Sequence, residues 1–194
     1  MKYISALSLM TATAACAGFA PDPGGGFFAT LSEVCEKGEA YSGRVVSTDE
    51  ADAAFADETL IAHFRSCAAD EIRIPFHVGE NRSRTWVITP IETGLRLKHD
   101  HRHEDGSEDT ITQYGGDTVG EGSETRQEFP ADPYSKDLFV QEGLGISVSN
   151  VWAIEIDPDR DLFAYELSRP SRYFRVEFDL ANPVAPPPSP WGAE

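Results

Sequence analysis

Residues 99–109 read HDHRHEDGSED, placing three of the chain's five histidines at alternate positions before a turn and a run of carboxylates. Imidazoles in such a row can ligate a metal, carry a proton or line a polar pocket. On a strand, alternate side chains share a face, so His99, His101 and His103 point together with Leu95 and Leu97. Asp100, Arg102 and Glu104 then occupy the opposite face. Asp105-Gly106 suits a two-residue hairpin turn. That register pairs His103 with Glu108, His101 with Thr110, His99 with Thr112 and Leu97 with Tyr114, and sets Arg102 against Asp109.

Three kinds of chemistry follow. Neighbouring imidazoles on one strand face lie ~7 Å apart at Cα and can converge on a divalent metal, whereas His99 and His103 are ~13 Å apart. A metal held by His99, His101, His103 and Glu108 therefore needs a bent strand or a subset of these ligands. The run His101-x-His103-x4-Glu108-x6-Gly115 resembles the first motif of cupins, with Gly94 one residue out of place and no second motif. That resemblance implies a metal-dependent enzyme with Glu108 as acid/base. In a second reading the imidazoles, with Thr112 and Tyr114, line the mouth of a cavity and bind a small molecule without catalysis. In a third they are a solvated rim on an envelope structural or interaction protein. The segment NRSRTW adds Arg82 and Arg84, which share a face with Trp86 by parity. A guanidinium over a ring can clamp an anionic group, or these arginines simply balance an acidic surface. The ligand-binding candidates are thus His99, His101, His103, Thr112, Tyr114, Arg82 and Arg84.

Charge narrows the partners. Lys and Arg number 16 against 33 Asp and Glu, a net charge of −17. Nucleic acid and anionic bilayers are gripped by basic residues that displace counterions, so both are excluded. The chain has no Gly-x-Ser-x-Gly elbow, P-loop, dinucleotide glycine pattern, His-Glu-x-x-His or Cys-x-x-Cys.

The elements that would carry these residues change period early. FFATLSEVCEKG spaces Phe27, Phe28, Leu31, Val34 and Cys35 by threes and fours and ends at Gly38, which predicts a short amphipathic helix. From Ala40 onward the period is two. EIRIPFHV, RTWVIT, GLRLKH, VWAIEI, LFAYEL and RYFRVEFDL alternate apolar with polar residues between turn-forming stretches. TLIAHFRSC reads as one further strand, and STDEADAAFADE as a helical turn with Ser47 and Glu50 at capping-box spacing. About ten strands joined by short turns predict antiparallel neighbours. Closing them removes exposed edges, so the expected fold is mainly β: an antiparallel up-and-down barrel with a short N-terminal helix. This order resembles the calycin group of lipocalin-like and fatty-acid-binding-like barrels, although the first strand reads YSGRVV in place of the lipocalin Gly-x-Trp signature. The run NVWAIEI…FAYELSRPSRYFRVEFDL is also similar to a group of uncharacterised exported bacterial proteins, a likeness that implies no activity.

Residues 1–20 have the form of an export signal, with one Lys, a short apolar run and small residues at the end. No later run reaches the ~18–20 apolar residues of a membrane span. Thr13-Ala14-Ala15-Cys16 resembles a lipoprotein box, with Thr13 where Leu is usual, which implies lipidation of Cys16; cleavage after Ala17 or Ala20 is the alternative. Either route leaves Cys35 and Cys67 as a pair in an oxidising compartment, predicting a disulfide. Residues 21–26 read as a tether, 27–182 as one barrel domain and 183–194 as an extended, mobile Pro-rich tail. The expected location is the periplasm, the outer membrane through a lipid anchor, or the exterior.

Overall fold

The computed structural model describes residues 26–120 and 122–193. The export signal and Cys16 lie outside the described residues. Helix α1, Phe27–Cys35, is followed by β1 (Ala40–Val45), α2 (Ala53–Ala56), β2 (Leu60–His63), β3 (Ser66–Ala68), β4 (Glu71–Val78), β5 (Asn81–Ile91), β6 (Gly94–His101) and β7 (Tyr114–Asp117). The chain continues through β8 (Arg126–Pro130), α3 (Pro133–Gln141), β9 (Val151–Asp157), β10 (Leu162–Arg169) and β11 (Arg172–Val184).

Ten strands form one antiparallel path in the order β7-β6-β5-β4-β2-β1-β11-β10-β9-β8, and β3 pairs with β4 beside it. The expected up-and-down barrel with an N-terminal helix is the observed fold. First and last strands are hydrogen-bonded, with Val45 opposite Val176, so the gap in the wall lies between β7 and β8. That seam is drawn together by backbone and one hydroxyl. The Asp132 N–H donates to the Gly115 carbonyl at 2.9 Å. Ser135 Oγ accepts from the Gly115 N–H at 2.7 Å and donates to the Gly115 carbonyl at 2.9 Å. A Cβ on Gly116 would stand 1.8 Å from the Pro130 carbonyl oxygen, so only glycine permits the two edges to approach this closely.

The inward faces make a single apolar core, and α1 plugs one end of it. Phe27, Leu31 and Cys35 are fully buried, and Cys35 is disulfide-bonded to Cys67 of β3. Cys67 lies opposite Ile72, which pairs with Ile88, which pairs with Leu97. The helix therefore sits at the Leu97 end of β6, and His99 and His101 approach the other end. Charges go to the outside. Glu166, 7 % exposed, joins Arg126 at 2.7 Å and also Arg175, which reaches Glu155 and Glu177 at 2.8 Å each.

Several local expectations are corrected. TLIAHFRSC is two strands, β2 and β3, broken at Phe64-Arg65. The turn before α2 is capped by Asp49, whose carboxylate accepts from the Ala51 N–H, while the Ser47 hydroxyl goes to Asp52. The return strand of the histidine hairpin is irregular over 109–113 and passes through a left-handed Gln113. Arg102 pairs with Glu108, and His99 pairs with Tyr114 instead of Thr112. Arg102 accordingly bridges Asp100 and Glu108, at 2.9 and 3.3 Å, and not Asp109. The Pro-rich end is extended yet seated. Trp191 N–H donates to the Arg82 carbonyl at 3.1 Å, and Arg82 Nη1 donates to the Ser189 carbonyl at 3.2 Å.

Candidate functional site

The end of the barrel away from α1 holds a cavity of about 250 Å³. Strands β4–β7 and β9–β11 supply its walls, and α2, α3 and the 144–150 turn form its rim. Parity explains the lining: residues two apart on β5 (Arg84, Trp86), β6 (His99, His101) and β10 (Tyr165, Leu167) face inward together. Trp86 is the hub of the wall, stacked on Phe76 at 4.7 Å and on Tyr165 at 4.5 Å.

His99 is fixed on both nitrogens. Its Nδ1 lies 3.1 Å from the Tyr114 carbonyl, an oxygen that can only accept, so Nδ1 carries the proton. Nε2 is then a lone-pair acceptor and takes the Tyr165 hydroxyl proton at 2.8 Å. The ring stacks on Tyr114 with centroids 4.5 Å apart. Burial, with help from His101, lowers the pKa of His99 to about 3, so this hydrogen-bonded pair is neutral at neutral pH. Burial also raises Tyr165 well above the ordinary phenol range.

His101, nearer the rim, lies 3.3 Å from the Tyr114 hydroxyl through Nε2. Its backbone N–H donates to Thr112 Oγ1 at 2.8 Å. Burial and then the Arg84 charge bring its pKa down to about 4, against the opposing pull of Asp109 and Asp100. Burial raises the Tyr114 phenol to about 12. Arg84 donates to Asn81 Oδ1 at 3.1 Å and Ser83 Oγ at 3.4 Å, and its guanidinium lies 5.9 Å from the Phe55 ring centroid. Arg172, also in the lining, is by contrast ion-paired with Asp52 and Asp49.

Of the residues singled out from sequence, His99, His101, Tyr114 and Arg84 therefore converge on one cavity. Thr112 is buried behind them and serves the backbone of His101. His103 lies beyond the end of β6 in the turn, exposed. Arg82 parts from Arg84: it lies against the C-terminal segment, beside His77, Pro187 and Pro188. The cation-over-ring geometry belongs to Arg84 and Phe55, not to Trp86.

The four candidate metal ligands do not converge. Both nitrogens of His99 are engaged, and Glu108 bonds to Arg102 at 3.3 Å and to Gln113 at 3.0 Å. Among the described residues no group of three or more His, Cys, Asp or Glu is placed to hold a metal ion. The disulfide candidates, Cys35 and Cys67, are bonded as expected.

Trp152, Tyr165, Asn150, Phe139 and Arg172 also line the cavity, although the histidine-centred pattern in the sequence singles out none of them. Tyr165 did carry a signal. It stands between Phe163 and Leu167 on an apolar face, and a buried tyrosine hydroxyl needs a partner. Among the described residues no helix is long and apolar enough to cross a membrane. Comparison with protein-family models, with curated proteins and with solved structures returned no match.

Proposed function

We propose that this chain is an exported, calycin-like barrel that binds a small organic molecule at its His-lined mouth without catalysing a reaction. One observation carries the reading: a cavity of about 250 Å³ is walled by rings and touched by a few convergent polar groups, Arg84, His101 and Tyr114 among them. Such concave, mostly apolar sites with sparse polar anchors are what small ligands occupy. Non-enzymatic binding is the reading because the buried polar groups satisfy one another. His99 spends both nitrogens on structure, and the Tyr114 phenol beside His101 is kept protonated by burial, which raises its pKa to about 12. Export is supported by the form of residues 1–20 and by the Cys35–Cys67 bond, which an oxidising compartment preserves. Mass spectrometry of the mature N-terminus tests export and reads Cys16 lipidation directly.

The binding reading is tested with p-cresol, a small neutral ring. Saturable quenching of the cavity tryptophans Trp86 and Trp152, with a rise in melting temperature, is the expected result. Leu144→Trp, which fills the rim side of the cavity, should abolish both effects while the protein stays folded. Quenching that persists undiminished in Leu144→Trp would place p-cresol elsewhere and remove the support for this site.

A further inference from the structure

Resting on the cavity-binding reading, the geometry points to a definite ligand class: a monocyclic aromatic carboxylate, its ring within the aromatic walls and its carboxylate on Arg84. Three features set these limits, namely volume, wall chemistry and charge.

An apolar cavity of about 150 Å³ takes a benzene ring, so by proportion about 250 Å³ takes roughly ten non-hydrogen atoms. A long acyl chain does not fit in that space. The wall then favours a ring over a short flexible chain. Aromatic side chains outnumber aliphatic ones in the lining eight to three. Rings offer edges and faces to another ring, and a rigid ligand loses less conformational freedom on binding than a chain does.

Charge decides the polar end. Among the described residues the two guanidinium groups of the lining differ in how they are answered. Arg172 is held by Asp52 and Asp49. Arg84 has only the neutral oxygens of Asn81 and Ser83 and forms no ion pair. Its charge is nonetheless felt across the mouth, at His101, Tyr114 and Tyr165. Asp109 also acts there, but its Oδ1 is turned into the 109–113 loop, where it accepts the Ile111 N–H at 2.9 Å. In a chain of net charge −17, a half-buried arginine that faces an apolar cavity without a carboxylate partner is a carboxylate site in waiting. The Tyr114 hydroxyl, beside His101 Nε2, is the neighbouring donor for the second carboxylate oxygen.

Isothermal titration with phenylacetate tests this, against octanoate, phenylacetamide and phenethylamine as probes of similar size that change the ring or the charge. Phenylacetate should bind with a Kd of about 1 mM or below. Octanoate, phenylacetamide and phenethylamine should each bind at least about tenfold more weakly. Arg84→Gln should reduce phenylacetate binding to the level of phenylacetamide and leave phenylacetamide unchanged, and Arg84→Lys should restore part of the loss. That internal control separates a lost charge from a damaged fold. The proposal is overturned if phenylacetamide or phenethylamine binds as tightly as phenylacetate, if octanoate binds more tightly, or if Arg84→Gln changes nothing. Binding of p-cresol without any carboxylate would sink the ligand class and leave the cavity reading standing; binding of none of these probes would sink both.

Discussion

Toward the helix-plugged end of the barrel, Phe64, Phe163 and Phe178 meet at centroid distances of 5.1 and 5.5 Å, and Tyr41 closes on Phe64 at 5.8 Å. At the mouth, Trp86, Tyr165, His99 and Tyr114 are spaced just as closely, at 4.5 Å for each stacked pair. Both regions are aromatic and both are buried, yet one is filled and the other surrounds a cavity. The difference lies in what each ring must satisfy. The phenylalanines carry no polar atom and collapse until volume runs out. At the mouth the rings are fixed along the wall by commitments: His99 to the Tyr114 carbonyl and the Tyr165 hydroxyl, His101 to Tyr114. A hydrogen-bonded frame fixes ring positions that packing alone would not, and it keeps space open where a frame of apolar rings would close.

The contrast is broken most severely at the filled end. Phe163→Ala should cost about 3–5 kcal/mol in urea unfolding, because the removed ring leaves a cavity that its neighbours cannot refill. Phe139→Ala, at the rim, enlarges a space that already opens to solvent and should cost only about 1–2 kcal/mol. Equal losses for the two would show that the ends are packed alike.

Much of this division was legible in the sequence, and its limits have physical causes. Alternation placed Phe174, Val176 and Phe178 of β11 and His99 and His101 of β6 on the faces they occupy, because the side-chain period of a strand is fixed at two. The Cys35–Cys67 pair followed from counting. What parity cannot supply is where a strand stops. β6 ends at His101, so His103, identical in parity to its neighbours, falls in the turn. The extra residues at 109–113 also shift the return strand, and Tyr114, not Thr112, lands beside His99. Arg82 and Arg84 separate next to an irregularity in the β4–β5 ladder between Phe76 and Val78, where the C-terminal segment seats. Tyr165 and Trp152 reach the site from strands more than fifty residues away, and only barrel closure brings them in.

The hydrogen-bonded frame gives a smaller and more selective break. Tyr165→Phe keeps the ring but strips the donor from His99 Nε2, leaving a buried acceptor unpaired, and should cost about 1–3 kcal/mol. The double variant His99→Phe/Tyr165→Phe removes both partners from that bond and should recover part of the loss, a coupling that a double-mutant cycle measures directly. Additive losses would mean that the 2.8 Å contact contributes nothing of its own.

Acid supplies the finest distinction, since replacing His99 isolates the contribution of the mouth from those of the other buried histidines, His63 among them. Burial lowers His99 from 6.5 to about 3 in the folded protein. Well above pH 6.5 the ring is neutral folded or unfolded, and pH has little leverage through it. Below 6.5 the unfolded chain takes up a proton that the folded one refuses, so stability falls on acidification until the pH reaches about 3. The slope approaches about 1.4 kcal/mol per pH unit, and the first unit, from 6.5 to 5.5, removes about 1 kcal/mol through His99. His101 and His77, both lowered to about 4, add losses of the same sign. Urea midpoints at pH 7.0, 6.5 and 5.5 should therefore decline less steeply in His99→Phe/Tyr165→Phe than in the wild type, by about that single kcal/mol. Parallel declines would show that His99 already takes up its proton in the folded state near pH 6, and that the mouth is wetter than its neutral, doubly bonded imidazole implies.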